Sequence, residues 1–208
     1  SLLKHMPEID DIDFFKNQVR IALRNCGAMD YKSIDAYIAR NGYFAAEKAI
    51  STDRMKIIDE VKKSGLKGRG GAGFPTGVKW EAGYNAKSDF KYILCNADEG
   101  DPGAFMDRSI IEGDPHTLIE GMMIGGYAIG AGMGYVYVRA EYPIAIERLK
   151  YAIEEARSRG LLGCRFFGSD FVFDIEIRIG AGAFVCGEET ALMSSIEGRR
   201  GEPKQKPP

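Results

Sequence analysis

The chain has 208 residues, 28 lysines and arginines against 30 aspartates and glutamates, and a formal net charge of −2. That balance argues against nucleic acid or an anionic membrane surface as the main partner. Hydrophobic residues make up 45% of the chain, enough for a real core, and its length allows one large domain or a domain with an N-terminal extension. Cys26, Cys95, Cys164 and Cys186 are far apart, and with His5 and His116 as the only histidines no metal-ligand spacing arises, so no metal site is expected. The thiols read as reduced and mostly buried, which suits a cytoplasmic protein. No charged-then-apolar leader opens the chain, and the ending Lys204-Gln205-Lys206-Pro207-Pro208 reads as a cut inside a loop, as in an excised fragment.

Between Phe15 and Arg24 the residues Val19, Ile21 and Leu23 alternate with polar or small neighbours, the pattern of a half-buried strand. Ser33 is placed to cap a short helix running to Arg40, with Gly42 as its stop. A second short helix is expected over Tyr43–Ile50, and a third over Asp53–Lys63, where Met55, Ile58 and Val61 fall at helical spacing and Gly65 sits as the C′ glycine. Residues 1–50 are read as an N-terminal helical and strand extension, and residues 51–208 as the main domain.

The stretch Gly65–Trp80 holds six glycines and the cations Lys67, Arg69 and Lys79. Glycine backbone can turn successive N–H groups to one side as a nest for anions, and Arg69 adds a planar fork of donors. The spacing Gly68 to Gly73 spells G-x-G-x-x-G, but that fingerprint needs a preceding strand, and a helix precedes it here. A phosphotransferase loop fails as well, for want of Gly-Lys-Ser/Thr. The plain alternative is a flexible linker, although linkers usually pair glycine with serine rather than with Arg, Phe, Pro and Trp.

Beyond Trp80 strands and helices alternate. Tyr92–Cys95 reads as a buried strand, Tyr135–Val138 as a second strand, and Phe171, Phe173, Ile175, Ile177 and Ile179 as a longer third. Helices are expected over Asp114–Ala131, Ala145–Arg159 and Glu188–Ile196. The first of these is too short and glycine-rich for a membrane span. Such alternation predicts an α/β fold, a Rossmann-like parallel sheet with helical cover. Ligands in such sheets sit beyond the carboxyl ends of the strands. The first strand runs into Asn96-Ala97-Asp98-Glu99-Gly100-Asp101-Pro102-Gly103, the third into Gly180–Thr190 with Gly187-Glu188-Glu189 at a helix start. The acidic loop suits hydroxyl and amide donors, or is a solvated turn. The two glutamates line a site, or complement a helix dipole.

Three blocks, Gly68–Trp80, Asn96–Gly103 and Gly187–Thr190, closely resemble the flavin-carrying NADH-binding subunit of respiratory NADH:quinone oxidoreductase. That subunit type also occurs in NAD(P)-linked and electron-bifurcating hydrogenases and in NAD-dependent formate dehydrogenases. The resemblance implies FMN held by Gly68, Arg69, Gly70, Gly71 and Lys79 on its phosphate side. Asn96, Asp98 and Glu99 would take the ribityl chain and ring edge, with Gly187, Glu188 and Glu189 along the isoalloxazine. It further implies Phe74 stacking on NADH, Asp101 at the adenosine ribose and Lys206 near the dinucleotide, with hydride passing from NAD(H) or NADP(H) to the flavin and no catalytic acid–base pair. Partner subunits, an iron–sulfur subunit among them, would take the electrons onward. No nucleic acid or direct membrane contact is implied. The family's [4Fe-4S] cysteine motif is absent from this sequence, and Asp101 replaces a glutamate common in relatives, which leaves NADH against NADPH open. Ala82 stands where some relatives have a second stacking aromatic. The competing reading is a non-catalytic nucleotide- or anion-binding module that assembles into a larger complex.

Overall fold

The computed structural model describes residues 11–181 and 183–205. Among them lies a parallel three-stranded sheet of order β1-β2-β3, formed by Tyr92–Ala97 (β1), Met133–Arg139 (β2) and Asp174–Gly180 (β3). The register pairs Cys95 with Val136 and Val136 with Ile177. Parallel neighbours need crossovers. Between β1 and β2 these are α6 (Met106–Gly113) and α7 (Pro115–Ile129), and between β2 and β3 it is α8 (Pro143–Ser158). Both long crossover helices begin with proline, which costs no hydrogen bond at the first helical position.

The core lies between one sheet face and α7 and α8. Val136, Val138 and Ile175 meet Ile119, Met123, Leu149 and Ile153 there, all essentially buried. Two α7 glycines allow close approach. A Cβ on Gly126 would come within 2.7 Å of the Phe173 ring, and one on Gly125 within 2.5 Å of Ile93 and 3.0 Å of Trp80. The opposite sheet face carries a smaller cluster in which Tyr137 meets Cys186, in the turn Phe184–Gly187, and Leu192 of the last described helix α9 (Glu189–Ile196).

Ahead of the sheet come α1 (Asp13–Lys16), α2 (Ile34–Ala39), α3 (Phe44–Ile50), α4 (Arg54–Lys63) and α5 (Thr76–Asn85). The Ser33 side chain caps α2 by accepting from Ala36 N, and Asp53 caps α4, as their residue types require. Helices α2 and α3 share the main core through Ile34, Tyr37, Tyr43 and Ala46. Below them is a buried polar network. Tyr37 Oη donates to Glu120 Oε2, Ala46 N donates to Glu120 Oε1, and Tyr43 Oη lies 2.8 Å from His116 Nδ1.

The strand expected within Phe15–Arg24 is not there. Residues 18–30 instead form turns closed by bonds such as Cys26 N to Leu23 O, and Val19 and Ile21 are 89% and 80% exposed. The segment is held by a polar anchor rather than by apolar alternation: buried Asn25 donates to Asp114 and accepts from Arg40. The third strand is also shorter at its start, since Phe171 and Phe173 lie in the loop before β3 and pack into the core from there. Helices α5 and α6, which no periodicity announced, frame the site.

Candidate functional site

The glycine loop is a closed excursion between two packed helices. Gly68 N donates to Phe74 O, Thr76 N donates to Leu66 O, and Lys67 bridges Pro75 in antiparallel fashion, so residues 68–74 leave and re-enter at one base. Helices α4 and α5 lie so close that a Cβ on Gly77 would stand 2.7 Å from Lys62 N. Gly71 and Gly73 take φ of +97° and +60°, conformations that L side chains rarely adopt, and neither they nor Gly70 has an atom within 4 Å of where a Cβ would project. The preceding element is a helix, so the fingerprint-like spacing is not a strand–turn–helix dinucleotide motif; a helix, α5, does follow.

The loop faces the carboxyl ends of the strands across a bay of about 750 Å³. Arg69, Gly70 and Gly71 form one wall. Asn96, near the end of β1, with Asp98, Glu99 and Asp101 after it, form the second, and Gly187 and Glu188, before α9, the third. Nine sequence-selected residues thus meet in one cavity. The other described ones stand apart from its lining. Gly68 closes the loop base, Phe74 is 53% exposed on the returning limb, and Lys79 on α5 is paired with Glu189 on α9 at 2.9 Å. Lys206 lies outside the described residues.

Local hydrogen bonds explain the shape of the second and third walls. Asn96 Nδ2 donates to Gly187 O at 2.8 Å while its Oδ1 accepts from Asp98 N, so one side chain ties the end of β1 to the turn before α9. The Glu99 carboxylate accepts from Asp107 N and Arg108 N at 3.1 and 3.2 Å, supplying an anion to the exposed N–H groups at the start of α6. Glu188 does the same for α9 through Thr190 N and Ala191 N. Both glutamates therefore shape the bay as helix caps as well as lining it.

Asp98 is different. Its side chain is 2% exposed, its Oδ1 lies 3.8 Å from Arg139 Nε, and its Oδ2 is buried with no hydrogen-bond partner among the described residues. Desolvation raises its pKa, with Arg139 opposing and Glu141 reinforcing that rise. Asp107, also in the lining, is raised by burial and then by the Glu99 charge. The bay also has an apolar side that residue-type reasoning did not select: Phe105, Met106, Phe184 and Val185. Phe184 is 70% exposed, with its ring over Gly100, where a Cβ would stand 2.6 Å from it. Phe184 and Val185 sit in the loop after β3, where the strand-end rule looks for ligand contacts; Phe105 opens a helix that carried no signal.

Among the described residues no helix is long and apolar enough to cross a membrane, and no cluster of His, Cys, Asp or Glu is placed to hold a metal ion. Residues 61–208 match the family model described as the Nuo51 FMN-binding domain. The chain is 62% identical over 193 residues to the NADP-reducing hydrogenase subunit HndC of Solidesulfovibrio fructosivorans, covering 93% of this chain and 39% of that protein. It is 54% identical to the F-type subunit of the NADH-quinone oxidoreductase of Aquifex aeolicus, with 85% of this chain and 41% of that one covered. Against the corresponding protein of Escherichia coli the identity is 48%, with 84% and 40% covered. The chain thus spans about two fifths of the length of these curated relatives. Among solved structures, the NAD+-reducing [NiFe]-hydrogenase in its air-oxidized state aligns with a TM-score of 0.65 at 40% identity, over 74% of this chain and 25% of that one.

Proposed function

We propose how the bay works from one premise: the chain belongs to the Nuo51 FMN-binding domain family. The bay is then the FMN site of an NAD(P)-linked oxidoreductase. The observation that carries this reading is the meeting of the glycine loop, the Asn96–Asp101 loop and the Gly187–Glu188 turn around one cavity, of a size that small-ligand sites typically have. The residues fit the group. Open backbone at Gly70 and Gly71 beside Arg69 suits a phosphate, the unpartnered Asp98 Oδ2 suits a hydroxyl donor, and Phe105, Phe184 and Val185 suit an aromatic ring system.

FMN held there by these residues would supply the redox chemistry, hydride acceptance from a nicotinamide and single-electron release. The chain supplies binding and exclusion of water. Arg69, with Lys79 on the α5 helix that leaves the loop, sets positive charge on the phosphate side, the N–H groups of Gly70 and Gly71 add donors, and Gly68, whose own N–H donates to Phe74 O, holds the loop base closed. Asp98, with Asn96 fixing its loop, accepts from the ribityl hydroxyls. Glu99, Glu188 and Glu189 hold the helix starts and the α5–α9 contact that keep the opening in shape. A hydride carries both electrons, so the transfer from the nicotinamide itself asks no side chain to remove a proton. Phe74, Asp101 and Lys206 are assigned to NAD(P)H, which enters from the open side. Partner subunits, an iron–sulfur protein among them, receive the electrons. The assembly works in the cytoplasm with no direct contact of this chain with lipid or nucleic acid.

The test is titration of the chain with FMN, followed by flavin fluorescence, and then addition of NADH. Saturable quenching at one site, weakened about tenfold or more in Arg69→Ala, and bleaching by NADH are expected. Absence of saturable binding defeats the flavin reading and leaves a non-catalytic assembly module.

A further inference from the structure

Arg139 is the last residue of β2 and stands behind the acidic loop rather than in the bay lining. Its guanidinium makes three distinct contacts. Nη1 donates to Glu99 O at 2.9 Å, Nη2 donates to Glu141 Oε1 at 2.8 Å, and Nε lies 3.8 Å from Asp98 Oδ1. Tyr142 reinforces the same point from the start of α8: its hydroxyl lies 3.3 Å from Glu99 O and 3.3 Å from Ala104 O. The backbone between Asp98 and Ala104 is therefore clamped from behind by the β2–α8 corner. A carboxylate as buried as Asp98 is costly to keep charged unless a cation faces it. Both Asp98 Oδ2 and Arg139 Nε are left without a hydrogen-bond partner among the described residues, so the pair is held by charge and not by a bond between them.

We propose that Arg139 is a positioning residue: it holds Asp98 ionised, so that its unpartnered carboxylate oxygen can accept a ligand hydroxyl. The proposal rests on the flavin reading for the identity of that hydroxyl, and on the geometry alone for the state of Asp98. The charged and titratable groups around Asp98 are Arg139, Glu141 and Tyr137 from β2 and its end, Glu99 and Asp101 on its own loop, Asp107 from α6, Glu188 before α9 and Arg69 across the bay. Arg139 is the cation among these that lies within 4 Å of the Asp98 carboxylate. Burial works against ionisation and Glu141 adds to that, so removing Arg139 leaves nothing close to oppose them.

The experiment is a pH titration of the Asp98 carboxyl carbon by NMR in the whole chain, in parallel with FMN titrations at pH 5.5 and pH 8. Arg139→Gln is expected to move the Asp98 midpoint to higher pH and to weaken FMN binding about tenfold at pH 5.5, with a smaller loss at pH 8. Arg139→Lys, which keeps the charge but loses the fork, is expected to hold the midpoint close to the parent value, and Asp98→Asn to leave only the pH dependence that the FMN phosphate itself brings. If Arg139→Gln is not folded by circular dichroism, Arg139→Met and the Asp98 midpoint in Glu141→Gln, expected lower than the parent's, carry the same comparison. An Asp98 midpoint unmoved by both changes of charge overturns the proposal, as does an Arg139 variant that weakens FMN equally at both pH values. Failure of the parent chain to bind FMN overturns the flavin reading instead, while the NMR midpoints still decide the role of Arg139.

Discussion

Lys79 on α5 donates to Glu189 on α9 at 2.9 Å across 110 residues of sequence, joining the helix that leaves the glycine loop to the helix that closes the chain. The side chains are 65% and 42% exposed, so the pair contributes little to stability, within about 1 kcal/mol. Lys79→Met is therefore expected to leave the urea midpoint nearly unchanged while weakening FMN severalfold, with a shallower dependence on salt than the parent. Glu189→Gln, which releases Lys79, is expected to tighten FMN at low salt. Fluorescence titrations at two ionic strengths decide this, and identical salt slopes in parent and Lys79→Met would remove Lys79 from the phosphate side.

The glycine loop separates backbone strain from ligand contact. Gly70 has no left-handed φ and open space at its Cβ position, whereas Gly71 sits at φ +97°. Gly70→Ala should leave folding intact and weaken FMN by about tenfold. Gly71→Ala should in addition destabilise the loop by about 1 kcal/mol. Paired denaturation and binding curves check the contrast. A Gly70→Ala chain that binds FMN as well as the parent would show that the ligand does not lie against this backbone.

Helix α7 makes the opposite use of glycine. Gly126→Ala would press on Phe173 at 2.7 Å, and a loss of about 1–3 kcal/mol is expected. Gly121→Ala, at an exposed position with no neighbour within 4 Å, should gain about 0.5–1 kcal/mol from helix propensity. Thermal unfolding of the two variants should move in opposite directions.

His116 provides a pH dependence. It is fully buried, its Nδ1 is 2.8 Å from Tyr43 Oη, and burial lowers its pKa from 6.5 to about 4, with Asp114 opposing. The folded chain thus binds this proton more weakly than the unfolded chain. The stability this contributes is fully present above pH 6.5 and is lost as pH falls toward 4, by about 3 kcal/mol in all. Asp98 and Asp107, whose pKa values are raised, act in the opposite sense but equally in parent and variant. His116→Phe should therefore show a flatter stability profile than the parent between pH 6.5 and 4, whatever its offset. Parallel profiles would refute this.

Asp101 lines the bay and lies within the clamped loop. A carboxylate there repels a 2′-phosphate, so Asp101→Ala is expected to raise NADPH use relative to NADH severalfold in steady-state oxidation. An unchanged ratio places nucleotide selection elsewhere.

Much of this arrangement was legible before the fold was seen, for identifiable reasons. Ser33, Asp53 and Asp114 announce their helices because a short side-chain oxygen reaching a free N–H is a local event, written within four residues. The strands are legible as apolar or alternating runs, but the buried strand expected at Tyr92–Cys95 is half exposed, with Tyr92 at 52% and Leu94 at 37%, and β2 is the most buried of the three. The Val19–Leu23 alternation misled because period-two patterning makes a strand only where a sheet edge receives it, and Asn25 instead ties this segment to Asp114, 89 residues away. The bay was legible as three loops, since glycines and acids after strand ends carry their own chemistry. What Glu99 and Glu188 do there was only half legible, because capping by Glu99 depends on where α6 starts, and α6 has no start signal of its own: Phe105 makes no side-chain cap. Arg139 could not be selected at all, as its role exists only once β2 stands beside β1.

The close crossing at Gly77 and the seating of Trp80 on Gly125 have a mechanical consequence. Both ends of the glycine loop run into packed helices, so any movement of the loop is confined to the seven residues between them. A span of that length reaches no more than about 12 Å from its base. Capture of a mononucleotide is therefore a short local folding-over and does not ask the sheet or its helices to shift.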